Sequence, residues 1–252
     1  AMNNAIYAAT TGMINRSRAL DVTATNLANA STSGYKRDRL ITASFGERVA
    51  YRLAADGARE IGSDNHGAIA EEILTDYTQG VVETTGRALD FAIIGDGYFS
   101  IETAGGQEAV TRDGSFEVDA EGYLRTAAGG YVMGQGGRIE VGAGAVTIDS
   151  NGVVYSDGQT VDTLAMLVSP PPEDGQAAEA LAKEAPNALT RPEGEAAFAG
   201  QIVQGRLERS NVNMVEEMSQ MMAASRAYQS CAQVVKILDS INQKTVTEIG
   251  RL

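Results

Sequence analysis

Ile6-Tyr-Ala-Ala-Thr-Thr-Gly-Met13-Ile-Asn-Arg-Ser-Arg-Ala-Leu20-Asp-Val-Thr-Ala-Thr-Asn-Leu27 carries Ile6, Met13, Leu20 and Leu27 at a spacing of seven. Ala9, Ala24 and Ala28 fill the same face. Seven residues are two turns of a slightly underwound helix, so the stretch predicts a helix with a narrow heptad seam, not a broad core-facing stripe. A seam this narrow needs a partner. The pattern stops at Asn29-Ala-Ser-Thr-Ser-Gly34, a cluster of capping residues with a glycine free to take positive φ.

A matching pattern stands at the other end. Met214, Met221, Tyr228, Val235 and Ile249 share one heptad position, with Asn242 as its polar member, and Ala224, Cys231 and Leu238 supply the companion position. Asn213 is suited to cap this helix, with Glu216 three residues on completing a capping box. The spacing predicts a helix over 213–248 that pairs with the N-terminal one and with counterparts in neighbouring subunits. Met214, Met218, Met221 and Met222 form a stripe on it. Flexible thioethers suit an interface that accommodates slightly different neighbours as well as they suit a core. Asn242 reads either as a register-fixing polar seam residue or as a solvated position near a fraying end.

Between the helices the texture turns to β. Phe91–Ile94, Tyr98–Ile101, Ala109–Thr111, Ser115–Val118, Tyr123–Leu124, Tyr131–Met133, Ala145–Ile148, Val153–Tyr155 and Thr163–Val168 are short apolar runs. Turn signals such as Asp113-Gly114, Gly129-Gly130, Asn151-Gly152 and Asp157-Gly158 separate them. Short strands with such turns predict antiparallel hairpins in a sandwich or barrel-like domain. The expected organisation is α+β. A terminal helical assembly domain comes from 1–40 and 206–252, connecting extended or loop segments from 41–80 and 169–205, and a central β domain from 81–168.

Composition supports this division. The 252 residues are 43% hydrophobic, enough to bury a core, and 28 glycines without a G-X-Y period indicate many tight turns. A net charge of −13 argues against nucleic acid, which needs a basic surface. Residues 1–40 hold five Lys and Arg against two acids (+3) and 206–252 hold six against five (+1), which leaves −17 for 41–205. Near-neutral ends around an acidic middle suit ends that pack on other chains and a middle that stays solvated. No apolar run is long enough to span a membrane. The first residues lack the basic and apolar regions of a secretory signal, which leaves two routes open, a cytoplasmic place or export without a cleaved signal.

The case for catalysis is weak. His66, the single histidine, sits in a loop-like Asp64-Asn-His-Gly67, and Cys231 falls on a helix face where it packs as a small hydrophobe. Glu71-Glu72 and Glu216-Glu217 are consecutive and point apart. Asp149-Ser-Asn-Gly152 offers two oxygen ligands and no closing carboxylate, which fits a hairpin turn better than a calcium loop. No catalytic, cofactor-binding or metal-ligating residue is expected.

Several motifs carry a resemblance. Asn26-Leu-Ala-Asn-Ala-Ser-Thr-Ser-Gly-Tyr-Lys36 resembles the N-terminal signature of the flagellar rod and hook proteins, and Ser210-Asn-Val-Asn-Met-Val-Glu-Glu-Met218 with Ser225-Arg-Ala-Tyr228 resembles the C-terminal one. Asp76-Tyr-Thr-Gln-Gly80, Leu89-Asp-Phe-Ala-Ile93, Gly95-Asp-Gly-Tyr-Phe99 and Thr111-Arg-Asp-Gly-Ser-Phe116 are similar to the family's central segment. The resemblance implies a structural subunit of the basal-body rod that leaves through the flagellar type III export apparatus and polymerises through its terminal helices into a torque-transmitting tube in the periplasm. The implied partners are further copies, other rod and hook proteins and the export apparatus, with no nucleic acid and no membrane span. The compact 41–75 region favours a proximal rod type over a distal rod or hook type. The expected assembly interface is Ile6, Met13, Leu20, Leu27, Asn26, Asn29, Met214, Met218, Met221, Tyr228, Val235 and Leu238. A secreted β-domain adhesin or calcium-binding module is the reading from another class.

Overall fold

A computed structural model describes residues 2–44, 48–54, 57–64, 68–103, 105–142, 144–168, 183–185, 188–190, 198 and 200–249. His66 and most of 169–200 lie outside the described residues. The chain opens with α1 (Met2–Ala28) and closes with α2 (Met214–Ile249). Between them run β1 (Asp38–Ser44), β2 (Arg48–Ala54), β3 (Gly57–Asp64), β4 (Ala68–Thr75), β5 (Val82–Thr84), β6 (Phe91–Ile94) and β7 (Tyr98–Glu102). Then come β8 (Glu108–Thr111), β9 (Phe116–Val118), β10 (Leu124–Thr126), β11 (Tyr131–Gly134), β12 (Gly137–Arg138), β13 (Val146–Ile148) and β14 (Val153–Ser156). β15 (Gln159–Thr163), β16 (Met166–Leu167), β17 (Lys183–Ala185), β18 (Ala188–Thr190), β19 (Gln201–Gln204) and β20 (Arg206–Glu208) complete the set.

The protein is α+β, with antiparallel pairing in every ladder whose register is defined. Two compact units divide it: Ala1–Ala28 with Asp38–Leu74 and Asn213–Leu252, and Asn29–Arg37 with Thr75–Val212. In the first, α1 packs on α2, β1 pairs with β4, and β2 and β3 form a hairpin. The stretch 41–80, read from sequence as part extended and part loop, is thus largely strand among the described residues.

In the second unit the main sheet runs β17-β18-β8-β7-β11-β10-β9, with β12 branching off β11 and β16 off β7. Among the described residues it does not close into a barrel: β9 and β17 remain separate ends, and closure requires the first and last strands to bond to each other. β13, β14 and β15 form a smaller sheet. Phe91, Phe99 and Phe116 pack together in the core, Phe91–Phe116 tilted with ring centroids 5.7 Å apart and Phe99–Phe116 edge-to-face at 5.2 Å. Leu124, Val132, Val154 and Ile202 are buried around them.

β19 and β20, like β17 and β18, are strands that the sequence hid. β19 pairs with β6 (Ile202 opposite Ile93) and β20 with β5 (Leu207 opposite Glu83), so chain read as connection and helical lead-in completes the β unit. Gln-Ile-Val-Gln and Arg-Leu-Glu are too short and too polar to show the alternation of a strand.

Candidate functional site

The helical unit is built on an antiparallel seam. Asn26 on α1 reaches Glu217 on α2, with Nδ2 donating to Oε2 at 3.3 Å, and Gly12 faces the Cys231 sulfur. Positions 12 and 26 are fourteen apart, as are 217 and 231, so both helices advance two heptads between these contacts. Small or polar residues occupy the buried line: Asn15, Thr23 and Asn26 on α1, Glu217 and Ala224 on α2. Thr23 is satisfied within its own helix, its hydroxyl donating to the Ala19 carbonyl at 3.0 Å. Asn26, 1% exposed, donates from Nδ2 to the Asp38 carbonyl (2.8 Å) and accepts the Asp38 N–H at Oδ1 (2.9 Å), mimicking a strand partner. Asn213 caps α2, its Oδ1 accepting the Val215 N–H at 3.1 Å and the Glu216 N–H at 3.4 Å.

The residues expected at the assembly interface fall around this seam. Ile6, Met13, Leu20, Leu27 and Asn29 are half-buried, as are Met221, Val235 and Leu238, while Met214, Met218 and Tyr228 are exposed. Asn29 lies just past α1 in a turn in which its Oδ1 accepts the Thr32 hydroxyl at 3.2 Å. Asn242 is half-buried. Of the two heptad positions read on α2, the companion line holds the one buried member, Ala224, with Cys231 and Leu238 half-buried. Apolar residues off the heptad line are also exposed: Met222 of the methionine stripe (55%), and Val215 (78%), Val234 (46%), Ile237 (51%) and Ile241 (45%). Their signal was present as 3- and 4-residue spacing, in 215-218-222 and 234-237-241.

A second site lies in the β unit. Glu208, 1% exposed at the end of β20, accepts Lys36 Nζ (2.6 Å) and the Gly80 N–H (2.9 Å) at Oε1. Its Oε2 stands 3.7 Å from Arg112 Nη1. Lys36 Nζ also donates to the Thr78 carbonyl at 2.9 Å. Burial pushes the Lys36 ammonium below its ordinary pKa, against the pull of the Glu208 carboxylate. Arg112 donates from Nη2 to the Gly95 carbonyl at 2.6 Å and from Nη1 to that of Ile93 at 3.4 Å, and its guanidinium lies 5.3 Å from the Tyr98 ring centre.

Asn211 stitches the same region. Its Oδ1 accepts the Arg37 N–H (2.8 Å), and its Nδ2 donates to the carbonyls of Asp76 (2.8 Å) and Thr78 (3.2 Å). Two glycines are required here: a Cβ at Gly34 (φ +69°) would collide with the backbone of Arg112 and Asp113, and one at Gly80 with the Arg209 carbonyl. Nothing in periodicity marks Glu208, Arg112 or Asn211. Their partners lie far along the chain, as with Lys36 and Glu208, 172 positions apart.

Among the described residues no cluster of three His, Cys, Asp or Glu side chains is placed to hold a metal, and no helix is long and apolar enough to cross a membrane. The geometry is that of buried ties and exposed apolar helix flanks.

Comparison with known proteins gives three family matches. Residues 6–36 match the family described as "Flagella basal body rod protein" and 92–156 the "Flagellar hook protein FlgE/F/G D1 domain". Residues 203–248 match "Flagellar basal body rod FlgEFG protein C-terminal". The flagellar basal-body rod protein FlgF of Caulobacter vibrioides is 31% identical, the alignment covering 100% of both chains. FlgG of Bacillus subtilis is 32% identical over 97% of this chain and 98% of its own, and FlgF of Escherichia coli K12 31% over 94% and 95%.

Proposed function

The chain belongs to the flagellar basal-body rod protein family, and from that premise we propose that it is a rod subunit that polymerises through α1 and α2 into a tubular axial structure. The family's role is structural, not enzymatic. The observation that carries the mechanism is the exposure of Val215, Met218, Met222, Ile237 and Ile241 on a helix already paired with α1. Exposed apolar residues at helical spacing are costly unless another surface covers them. In this reading the α1–α2 pair is coiled-coil-like. Ile6, Met13, Leu20, Leu27, Met214, Met221, Tyr228 and Val235 meet neighbouring subunits, and other rod and hook proteins extend the tube, which transmits torque. The acidic β unit contacts neighbours laterally. Export without signal cleavage by the flagellar apparatus and a place in the periplasm-spanning rod complete the proposal.

Within the family we favour the proximal rod type, supported by the short 41–75 region and by alignment with the Caulobacter FlgF along the whole of both chains. The FlgG likeness is of similar strength. Labelling a tagged chain in isolated basal bodies separates the two: label beside the membrane ring supports the proximal type, label beside the hook the distal.

The assembly reading is tested with Met218→Asp and Ile237→Asp in the full chain. We expect unchanged unfolding of the isolated protein, no assembled rods, and loss of motility in a strain that lacks its own copy. Normal rods from both variants would sink the proposal.

A further inference from the structure

The motifs that carry the family resemblance converge around the buried side chains of Lys36, Arg112 and Glu208. Lys36 comes from the N-terminal signature, Thr78 and Gly80 from Asp76–Gly80, and Ile93 from Leu89–Ile93. Gly95, Arg112 and Asn211 come from the remaining central motifs and the C-terminal signature. Glu208, which belongs to none of the motifs, forms ion pairs with both Lys36 and Arg112.

We infer that Glu208 is the positioning residue that holds 29–37 as a fixed part of the β unit, so that this signature segment is already docked in the single chain before any contact with a neighbour. Lys36 and Arg112 both lie against the Glu208 carboxylate, and the Asp76 charge also acts on Lys36. The Gly95 and Ile93 carbonyls and the Tyr98 ring face Arg112, which leaves the shortest bond of Glu208 to Lys36. The Gly34 N–H donates to the backbone carbonyl of Glu208 at 2.9 Å, so main chain and side chain of one residue grip both ends of Gly34–Lys36. A buried pair of this kind contributes little net stability over an apolar pair, yet removing one partner strands a charge. Such a node therefore specifies which segment docks more than how tightly the whole unit holds.

The inference does not rest on the assembly reading and is tested on the free, full-length chain by hydrogen exchange with mass spectrometry. In the parent protein the peptide covering 30–37 should be protected together with 204–212 at concentrations where no assembly occurs. Glu208→Met and Lys36→Met should each speed exchange in 30–37 by on the order of a hundredfold, with α1 peptides over 12–26 unchanged. The double variant Lys36→Met/Glu208→Met should recover part of that protection, because the Lys36 charge is no longer stranded and Arg112 keeps its bonds to the Gly95 and Ile93 carbonyls. If Glu208→Met does not fold, Lys36→Met alone decides. Fast exchange of 30–37 in the free parent chain, native protection in Lys36→Met, or a double variant as exposed as the worse single would each overturn the inference.

Discussion

A few side chains decide more than their neighbours. Asn26 illustrates how a residue can stand out in a motif while its partners stay hidden. It stands on the first signature, but its bonds to Asp38 and Glu217 tie together elements of its own chain. Tyr98 titrates in a way no sequence rule shows. Burial pushes its hydroxyl from the ordinary 10 up to about 12, with the Arg112 guanidinium pulling the other way. The unfolded chain loses this proton near pH 10 while the folded chain keeps it, so the contribution is whole below pH 10 and disappears as pH rises through about 12. Lys36, lowered by burial, acts in the opposite sense, its penalty easing as pH climbs toward its ordinary 10.5. Tyr98→Phe, which keeps the ring over Arg112, should therefore flatten the alkaline loss of stability. Urea midpoints of parent and variant measured from pH 9 to 12 check this, and parallel curves would count against it.

At the scale of elements, the heptad spacing predicted two helices and both are present, with α2 beginning one residue past its Asn213 cap. Which face of each helix turns inward was not legible. The large residues Ile6, Met13, Leu20 and Leu27 suggested the seam, yet the buried line runs through Asn15, Thr23 and Asn26 against Glu217 and Ala224. Small side chains let two helix backbones approach closely, which moves larger residues to the flanks. The two faces should respond differently. Ala224→Leu overpacks a buried position and should cost about 1–3 kcal/mol in thermal or urea unfolding of the helical signal. Val215→Ser, on the exposed flank, should change it by less than about 0.5 kcal/mol. Equal costs at the two positions would mean that the seam has been drawn on the wrong face.

The whole molecule is organised by chain segments far apart in sequence. β5 and β6 find their partners in β20 and β19, more than a hundred residues on, and Ile202 enters the core beside Phe91 and Phe99. A chain ending after Val212 should thus keep a cooperative urea transition of the β unit, whereas one ending after Gly200 should lose it, because β5 and β6 are left without partners. A cooperative transition in the shorter chain would show that β19 and β20 only decorate the unit. From sequence alone came the α+β class, helices at both ends, the short strands 91–155 with their Gly-rich turns, the family likeness and the acidic middle. Each of these rests on local spacing, turn chemistry or composition, which neighbouring residues are enough to specify. Only the tertiary structure decided the open sheet in place of a barrel, the small-residue seam, the late strands β19 and β20, and the Glu208 node where the motifs meet. Those depend on which distant segments share a hydrogen bond or a charge, and a one-dimensional pattern does not carry that pairing.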